Sequence, residues 1–333
     1  DAERLYYQFL EDQERNNGVE RIIRDMTLID FAEKYLESEY ARHERGEITA
    51  VWFEALRCHT SDFVDRMNGN KMLRYLSELD LESYRNKVLL LPKSAKTGRK
   101  ISTHTARARL SNVKQMIKWG FQIKLIETLP RNLNGYSKVR HKTTGVKTFS
   151  REEIQLLYRN ANNSTKCWIL LALNCGYGQK DISDLMVEEV DLVNGRIRRN
   201  RSKTEVETDH MLWPRTIELL KQTGRFEAGP NERVFLSRFG NALVREEYRD
   251  NKLKRSDGIR TMFEKLRKKV GIEAGRGFYT LRKTAATEIE RIDPMVTEMF
   301  LGHVERGMKR HYAGRNWARL DEAIVELGPD LIS

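Results

Sequence analysis

The apolar positions of residues 27–128 recur with the 3.6-residue period of packed helices. Leu28, Phe31, Ala32, Tyr35 and Leu36 share one face, with Thr27 placed to cap that helix and Gly46 to end it. A second helix is predicted over 49–67, burying Val51, Trp52, Ala55, Leu56 and Phe63. A third covers 81–91 and is closed by Pro92. A fourth, capped near Ser102 or Thr103, turns Ala106, Leu110, Val113, Met116 and Ile117 inward. Residues 129–149 hold Pro130, Asn132, Asn134 and Gly135 and no long apolar run, which predicts a linker.

A second domain, 150–333, opens with a capping box at Ser150-Arg-Glu-Glu153 and continues in helices over 151–161, 165–174 and 179–186. The period then changes. Strands are predicted over 189–193 and 196–200 around an Asn194-Gly195 turn, and over 208–213 before Pro214 opens another helix. The rest reads as helix, with Asp293-Pro294 as a cap and first-turn pair. The expected fold is mainly α with a small antiparallel β-sheet in the second of two domains. Residues 1–26 form an N-terminal extension.

Composition sharpens this outline. The chain has 333 residues, with 60 Lys+Arg against 48 Asp+Glu, a formal net charge of +12. The longest apolar run, 167–174, is core-sized and too short for a membrane span. Three widely spaced cysteines (Cys58, Cys167, Cys175) make neither a disulfide framework nor a zinc site, which fits a reducing, cytoplasmic setting. Divided along the chain, the charge is −6 over 1–92, +13 over 93–149 and +5 over 150–333. The basic band contains Arg107, Arg109, Lys114 and Lys118, mostly off the apolar stripe of the fourth helix, and Arg140 and Lys142 in the linker. Such a concentration points to a phosphate backbone, and so to double-stranded DNA held between two domains. A solvated basic face is the bland alternative. No amphipathic helix with an exposed apolar face accompanies the charge, which argues against a membrane partner.

The chemistry lies near the C-terminus. Gly277-Phe-Tyr-Thr-Leu-Arg-Lys-Thr-Ala-Ala-Thr287 sets Arg282 in the first turns of a helix that Thr280 is placed to cap. Leu301-Gly-His303 follows, and Tyr312 stands nine residues after His303. This order and spacing resemble the tyrosine recombinase (phage integrase) family, over nearly the whole chain. The resemblance implies a helical core-binding domain (27–128), a linker (129–149) and a catalytic domain (150–333). It implies site-specific recombination without metal, other cofactor or small-molecule substrate, by a tetramer on paired DNA sites, in a bacterial nucleoid setting. Tyr312 takes the position of the nucleophile, Arg282 and His303 those of phosphate ligands, and Lys203, in Arg201-Ser-Lys-Thr204, that of the catalytic lysine. A phenol with an ordinary pKa near ~10 needs a proton acceptor, and the oxyanion needs cations. Arg282 can fork two donors onto phosphate oxygens, His303 can donate to the same group, and Lys203 can protonate the leaving 5′ oxygen. The final stretch, 315–330, carries Trp317, Leu320, Ala323, Ile324 and Leu327 at helical spacing. In the family such a helix docks on a neighbouring protomer; here it can equally pack in cis.

Plainer roles fit the same residues. Arg282 can hold a helix end, His303 can cap one, and Tyr312 can be an interface tyrosine. Lys203 can be one phosphate contact in a run with Arg196, Arg198, Arg199 and Arg201, of which Arg198 and Arg201 are candidate duplex contacts. The sequence also departs from the family twice. Gly178 stands where the family has its first catalytic arginine, and Tyr279 replaces the usual histidine. Losing one cation from an oxyanion site lowers the rate by on the order of 10²–10³ unless another moves in. Lys180, Arg196 and Arg198 are the candidates. An inactive recombinase-like DNA-binding protein and a topoisomerase-like enzyme are the alternative readings.

Overall fold

The computed structural model describes residues 26–91, 100–140, 145–201, 205–304 and 315–328. The chain divides into two compact units, Asp1–Thr143 with Glu247–Leu253, and Thr144–Glu246 with Lys254–Ser333. The fold is mostly helical with small sheets.

The first unit contains α1 (Leu28–Glu44), α2 (Ala50–Met67), α3 (Glu78–Leu90) and α4 (Thr103–Gln122). Each starts where a short polar side chain accepts an otherwise orphaned helix N–H. Thr27, Thr49, Ser77 and Ser102 receive the N–H groups of Asp30, Trp52, Asp80 and Thr105, each cap contributing about 1 kcal/mol. The reciprocal box of Ser77 and Asp80 explains why α3 begins before the expected Leu81. Pro92 lies outside the described residues. On α2 the buried stripe is Ala50, Phe53, Leu56, Phe63, Val64 and Met67. Trp52, expected inside, is 44% exposed, because Phe53 and Leu56 hold the inward register.

The expected linker is partly folded. Leu133, Tyr136 and Val139 are buried in the first core. The Arg131 N–H donates to Glu78 Oε1 at 3.0 Å and Asn132 Nδ2 to the Glu78 carbonyl at 3.0 Å. Three apolar residues spaced three apart among polar ones give no visible run. Within the same unit Asp62 accepts from Arg66 Nε (2.9 Å) and Tyr84 Oη (2.8 Å) and pairs with Arg109 Nη1 (3.0 Å).

The second unit contains α5 (Arg151–Asn160), α6 (Asn163–Asn174) and α7 (Gln179–Ser183). The antiparallel sheet of β1 (Val190–Asp191), β2 (Arg196–Arg201) and β3 (Val206–Met211) follows, in that spatial order, with Ile197 opposite His210 and Arg201 opposite Val206. Then come α8 (Pro214–Thr223), strands β4 (Val244–Arg249) and β5 (Lys252–Asp257), whose residues Glu247–Leu253 group with the first unit, α9 (Gly258–Lys269), α10 (Tyr279–Ile292), α11 (Thr297–Phe300) and α12 (Trp317–Leu327). α6 is buried along nearly its whole length and lies at the centre of the core.

Three expectations need correction here. The stretch after Pro214 is not all helix: β4 and β5 pair around Asp250-Asn251, both at positive φ (53° and 56°). Their side chains are charged on both faces, so no apolar alternation betrays them. Thr280 does not cap α10, which starts at Tyr279; the buried Thr280 carbonyl accepts from the Thr284 hydroxyl at 2.9 Å. Asp293 ends α10, and the following helix starts only at Thr297. The terminal helix packs in cis. Leu320, Ala323, Ile324 and Leu327 are buried, and Trp213 Nε1 donates to the Ile324 carbonyl at 3.0 Å. Among the described residues no helix is long and apolar enough to cross a membrane.

The Asp62 cluster yields a test. Arg109→Met leaves the Asp62 carboxylate short of a donor, so the first unit should lose about 1–3 kcal/mol in urea unfolding. Unchanged stability would mean that Arg109 serves something other than the core.

Candidate active site

Two glycine turns frame the site. After α6, Gly176 adopts φ 64°, and a Cβ there would lie 2.8 Å from Phe300 Cε1. After α11, Leu301-Gly302-His303 forms a Schellman end, in which Gly302 N–H donates to the Met299 carbonyl (3.1 Å) and His303 N–H to the Glu298 carbonyl (2.9 Å). Gly302 has φ 58°, and a Cβ would meet Thr208 Cγ2 at 2.7 Å. Both turns need glycine for space as well as for conformation.

Arg282, on the first turn of α10, reaches between these turns and is 3% exposed. Nη1 donates to the Gly176 carbonyl and Nη2 to the Leu301 carbonyl at 2.8 Å. Nη2 lies 3.5 Å from His303 Nε2, and Nη1 lies 3.7 Å from Asp181 Oδ2. Burial, followed by repulsion from Arg201, pulls its pKa below the usual arginine range; the guanidinium stays charged at neutral pH. So Arg282 does hold a backbone structure, and it also faces His303.

His303 Nδ1 sits 2.8 Å from Glu298 Oε2. That carboxylate makes Nδ1 the protonated nitrogen and turns the Nε2 lone pair toward Arg282. Burial first, then Arg282 and Arg201, push the His303 pKa down against the pull of Glu298. The neutral ring thus presents an acceptor at Nε2, where a donor was expected.

Position 178 is the start of α7. The Gly178 N–H donates to Asp181 Oδ2 at 2.8 Å in extended backbone open to any residue (φ −89°). A Cβ there would sit 3.4 Å from the Tyr279 ring, so the two departures from the family adjoin. Tyr279 itself is 46% exposed. The expected substitutes are engaged elsewhere. Lys180 pairs with Asp184 at 2.9 Å, Arg196 with Asp209 and Asp321, and exposed Arg198 with Asp209 at 3.0 Å. Arg201, a candidate duplex contact, lies in the Arg282 cluster, with Nε 3.8 Å from Asp181 Oδ1. Asp181 and Glu298 were not singled out in the sequence. An acidic residue three positions after Gly178, at a helix start, was the available signal for Asp181.

The other residues scatter. Arg107 is exposed and donates to the Val139 carbonyl at 3.2 Å, and Lys114 to the Asn134 carbonyl at 3.3 Å. Lys118 and Arg140 are exposed. Tyr312, Lys203 and Lys142 lie outside the described residues. No group of three or more His, Cys, Asp or Glu among the described residues could hold a metal.

Residues 147–319, more than half of the chain, match the model of the phage integrase family. The chain belongs to the phage integrase family. The likeness extends to solved structures of low identity. A lambda integrase dimer bound to a COC′ core site has 17% identity and a TM-score of 0.61, covering 89% of this chain and 80% of that one. A lambda integrase tetramer bound to a Holliday junction has 16% identity and a TM-score of 0.61, covering 91% and 82%. A Tn1549 transposon integrase in complex with transposon right end DNA has 15% identity and a TM-score of 0.61, covering 89% and 98%. No curated protein matches the chain.

Beside the site, fully buried His210 donates from Nε2 to the Phe300 carbonyl at 3.0 Å, so Nε2 carries the proton. Desolvation lowers its pKa to about 4, with Arg282 adding repulsion. A histidine depressed in the fold binds protons more tightly when unfolded. Stability should therefore fall as pH drops from about 6.5 to about 4, by up to roughly 3 kcal/mol. In His210→Gln this window should flatten in pH-dependent melting; parallel curves would refute the assignment.

Proposed function

We propose that this family member is a site-specific DNA recombinase that cleaves and rejoins strands through a 3′-phosphotyrosine at Tyr312. The observation that carries the reading is the convergence of Arg282 and His303, 3.5 Å apart, on two glycine turns distant in sequence. Arg282 supplies charge to the scissile phosphate, and neutral His303 Nε2, once its long contact with Arg282 gives way, is an acceptor for the phenol proton. The phenolate oxygen forms a P–O bond, and the 5′ oxygen leaves with a proton from Lys203. Rejoining reverses the step with a 5′ hydroxyl from another duplex, and no metal or other cofactor is required. Exchange on paired sites calls for a homo-tetramer, a state described for lambda integrase on a Holliday junction.

A second reading has one observation in its favour: Gly178 leaves the family's first arginine position without a cation, beside the Tyr279 ring. A DNA-binding protein without strand chemistry would look this way. A nicked suicide duplex separates the two. We expect a covalent protein–DNA adduct that vanishes in Tyr312→Phe while the gel shift persists; a gel shift without adduct in the native protein would leave only the binding module. Relaxation of supercoiled plasmid by monomer without recombinant products would instead point to a topoisomerase-like enzyme.

Exposed Arg107, Lys118 and Arg140, with Lys142 and Arg198, form the proposed duplex footprint. Replacing Arg107, Lys118 and Arg140 together by Ala should reduce the salt dependence of binding by about three units of slope, near 0.9 per phosphate contact. An unchanged slope would remove them from the footprint.

A further inference from the structure

We infer that Arg201 is the second cation of the phosphate site and stands in for the arginine that position 178 lacks. The inference rests on the strand-transfer reading above. Arg201 ends β2, and its stem lies against the Gly302 turn, with Cδ 3.1 Å from where a Cβ on Gly302 would be. Its guanidinium and that of Arg282 flank one carboxylate, Asp181, at 3.8 and 3.7 Å. Neither separation is a hydrogen bond. Asp181 meanwhile accepts the Gly178 N–H at 2.8 Å. Two cations thus share the Asp181 carboxylate, while Glu298 is engaged at His303 Nδ1.

Arg201 Nε is buried and has no hydrogen-bond partner among the described residues. Other arginine Nε groups share this, but Arg201 Nε does so beside the guanidinium of Arg282, and an oxyanion between the two would supply the acceptor. Neighbouring arginines are poorer candidates. Arg199 Nε also lacks a hydrogen-bond partner, but Arg199 Nη1 donates to the Asp181 carbonyl at 2.6 Å and its Nε pairs with Glu189 at 3.4 Å, while Arg196 pairs with two carboxylates. The Tyr279 ring beside Gly178 marks the complementary change. With the cation supplied from β2, position 178 needs no side chain, and an aromatic ring can lie over it.

The test is single-turnover cleavage of a nicked suicide duplex at saturating DNA. Arg201→Met keeps the aliphatic stem on Gly302 and should slow adduct formation by on the order of 10²–10³, with DNA affinity changed far less. Arg201→Lys should recover at least about tenfold of that loss, because it restores charge without the fork. A methylphosphonate at the scissile position carries no charge there, so the deficit of Arg201→Met should shrink by at least about tenfold on it. Cleavage by Arg201→Met within about threefold of the native rate would overturn the inference. So would a deficit undiminished on methylphosphonate, since a purely structural arginine is indifferent to substrate charge. A native protein that forms no Tyr312-dependent adduct would overturn the strand-transfer reading itself, and the role of Arg201 with it.

Discussion

A guanidinium with 3% exposure is tolerable only where its donors find acceptors, and the second unit is arranged around that requirement for Arg282. The acceptors are main-chain carbonyls of Gly176 and Leu301, 125 positions apart. Both carbonyls come from turns that no residue with a side chain could make in the space available. Packing of Phe300 against Gly176 and of Thr208 and Arg201 against Gly302 then locks the turns to α11, β2 and β3. His303 inherits its place from this arrangement, as the residue that completes the helix end after Gly302. Removing either glycine would therefore reach the site through Arg282 before it reached it through folding.

Electrostatics around this cation are balanced by two carboxylates with different work. Glu298 holds one nitrogen of His303 and so decides which face of the ring is basic. Asp181 caps α7 through the Gly178 N–H and lies between Arg201 and Arg282. Its charge makes two neighbouring guanidiniums bearable in the free protein. The repulsion that remains is visible in the depressed pKa values of Arg282 and His303, to both of which Arg201 contributes after burial. A phosphate entering such a cluster would meet cations already desolvated and in place, which is the condition under which electrostatic stabilisation is strongest.

The sequence made legible what depends on local period, caps and spacing. Thr27, Ser102 and Ser150 announce their helices because each offers a side-chain oxygen where helix N–H groups need one. Asn194-Gly195 announces its hairpin through Gly195 at φ 62°. Arg282 and His303 were legible as a pair through the order of their motifs. Their contact was not, because it depends on carbonyls of residues whose side chains play no part. The strands β4 and β5 escaped because their pairing lies in the backbone and their faces are charged. Arg201 escaped for a related reason: inside a run of arginines, only the pleat and the packing on Gly302 decide which one turns toward Arg282.

That distinction also changes what the net charge of +12 means. Formal charge counts every arginine equally, whereas the fold sorts them by partner. Arg109 is held by Asp62, Arg196 by Asp209 and Asp321, and Arg276 by Glu153. A guanidinium so engaged releases no counterion to a polyanion unless its own pair breaks first. Arg107 and Lys114 are intermediate, since a backbone carbonyl orients them without neutralising them. The net charge therefore does not count the phosphates the chain can contact; that number depends on which cations the fold leaves available. Among the arginines of β2 the same sorting separates a surface charge, Arg198, from one the fold carries into the Arg282 cluster, Arg201.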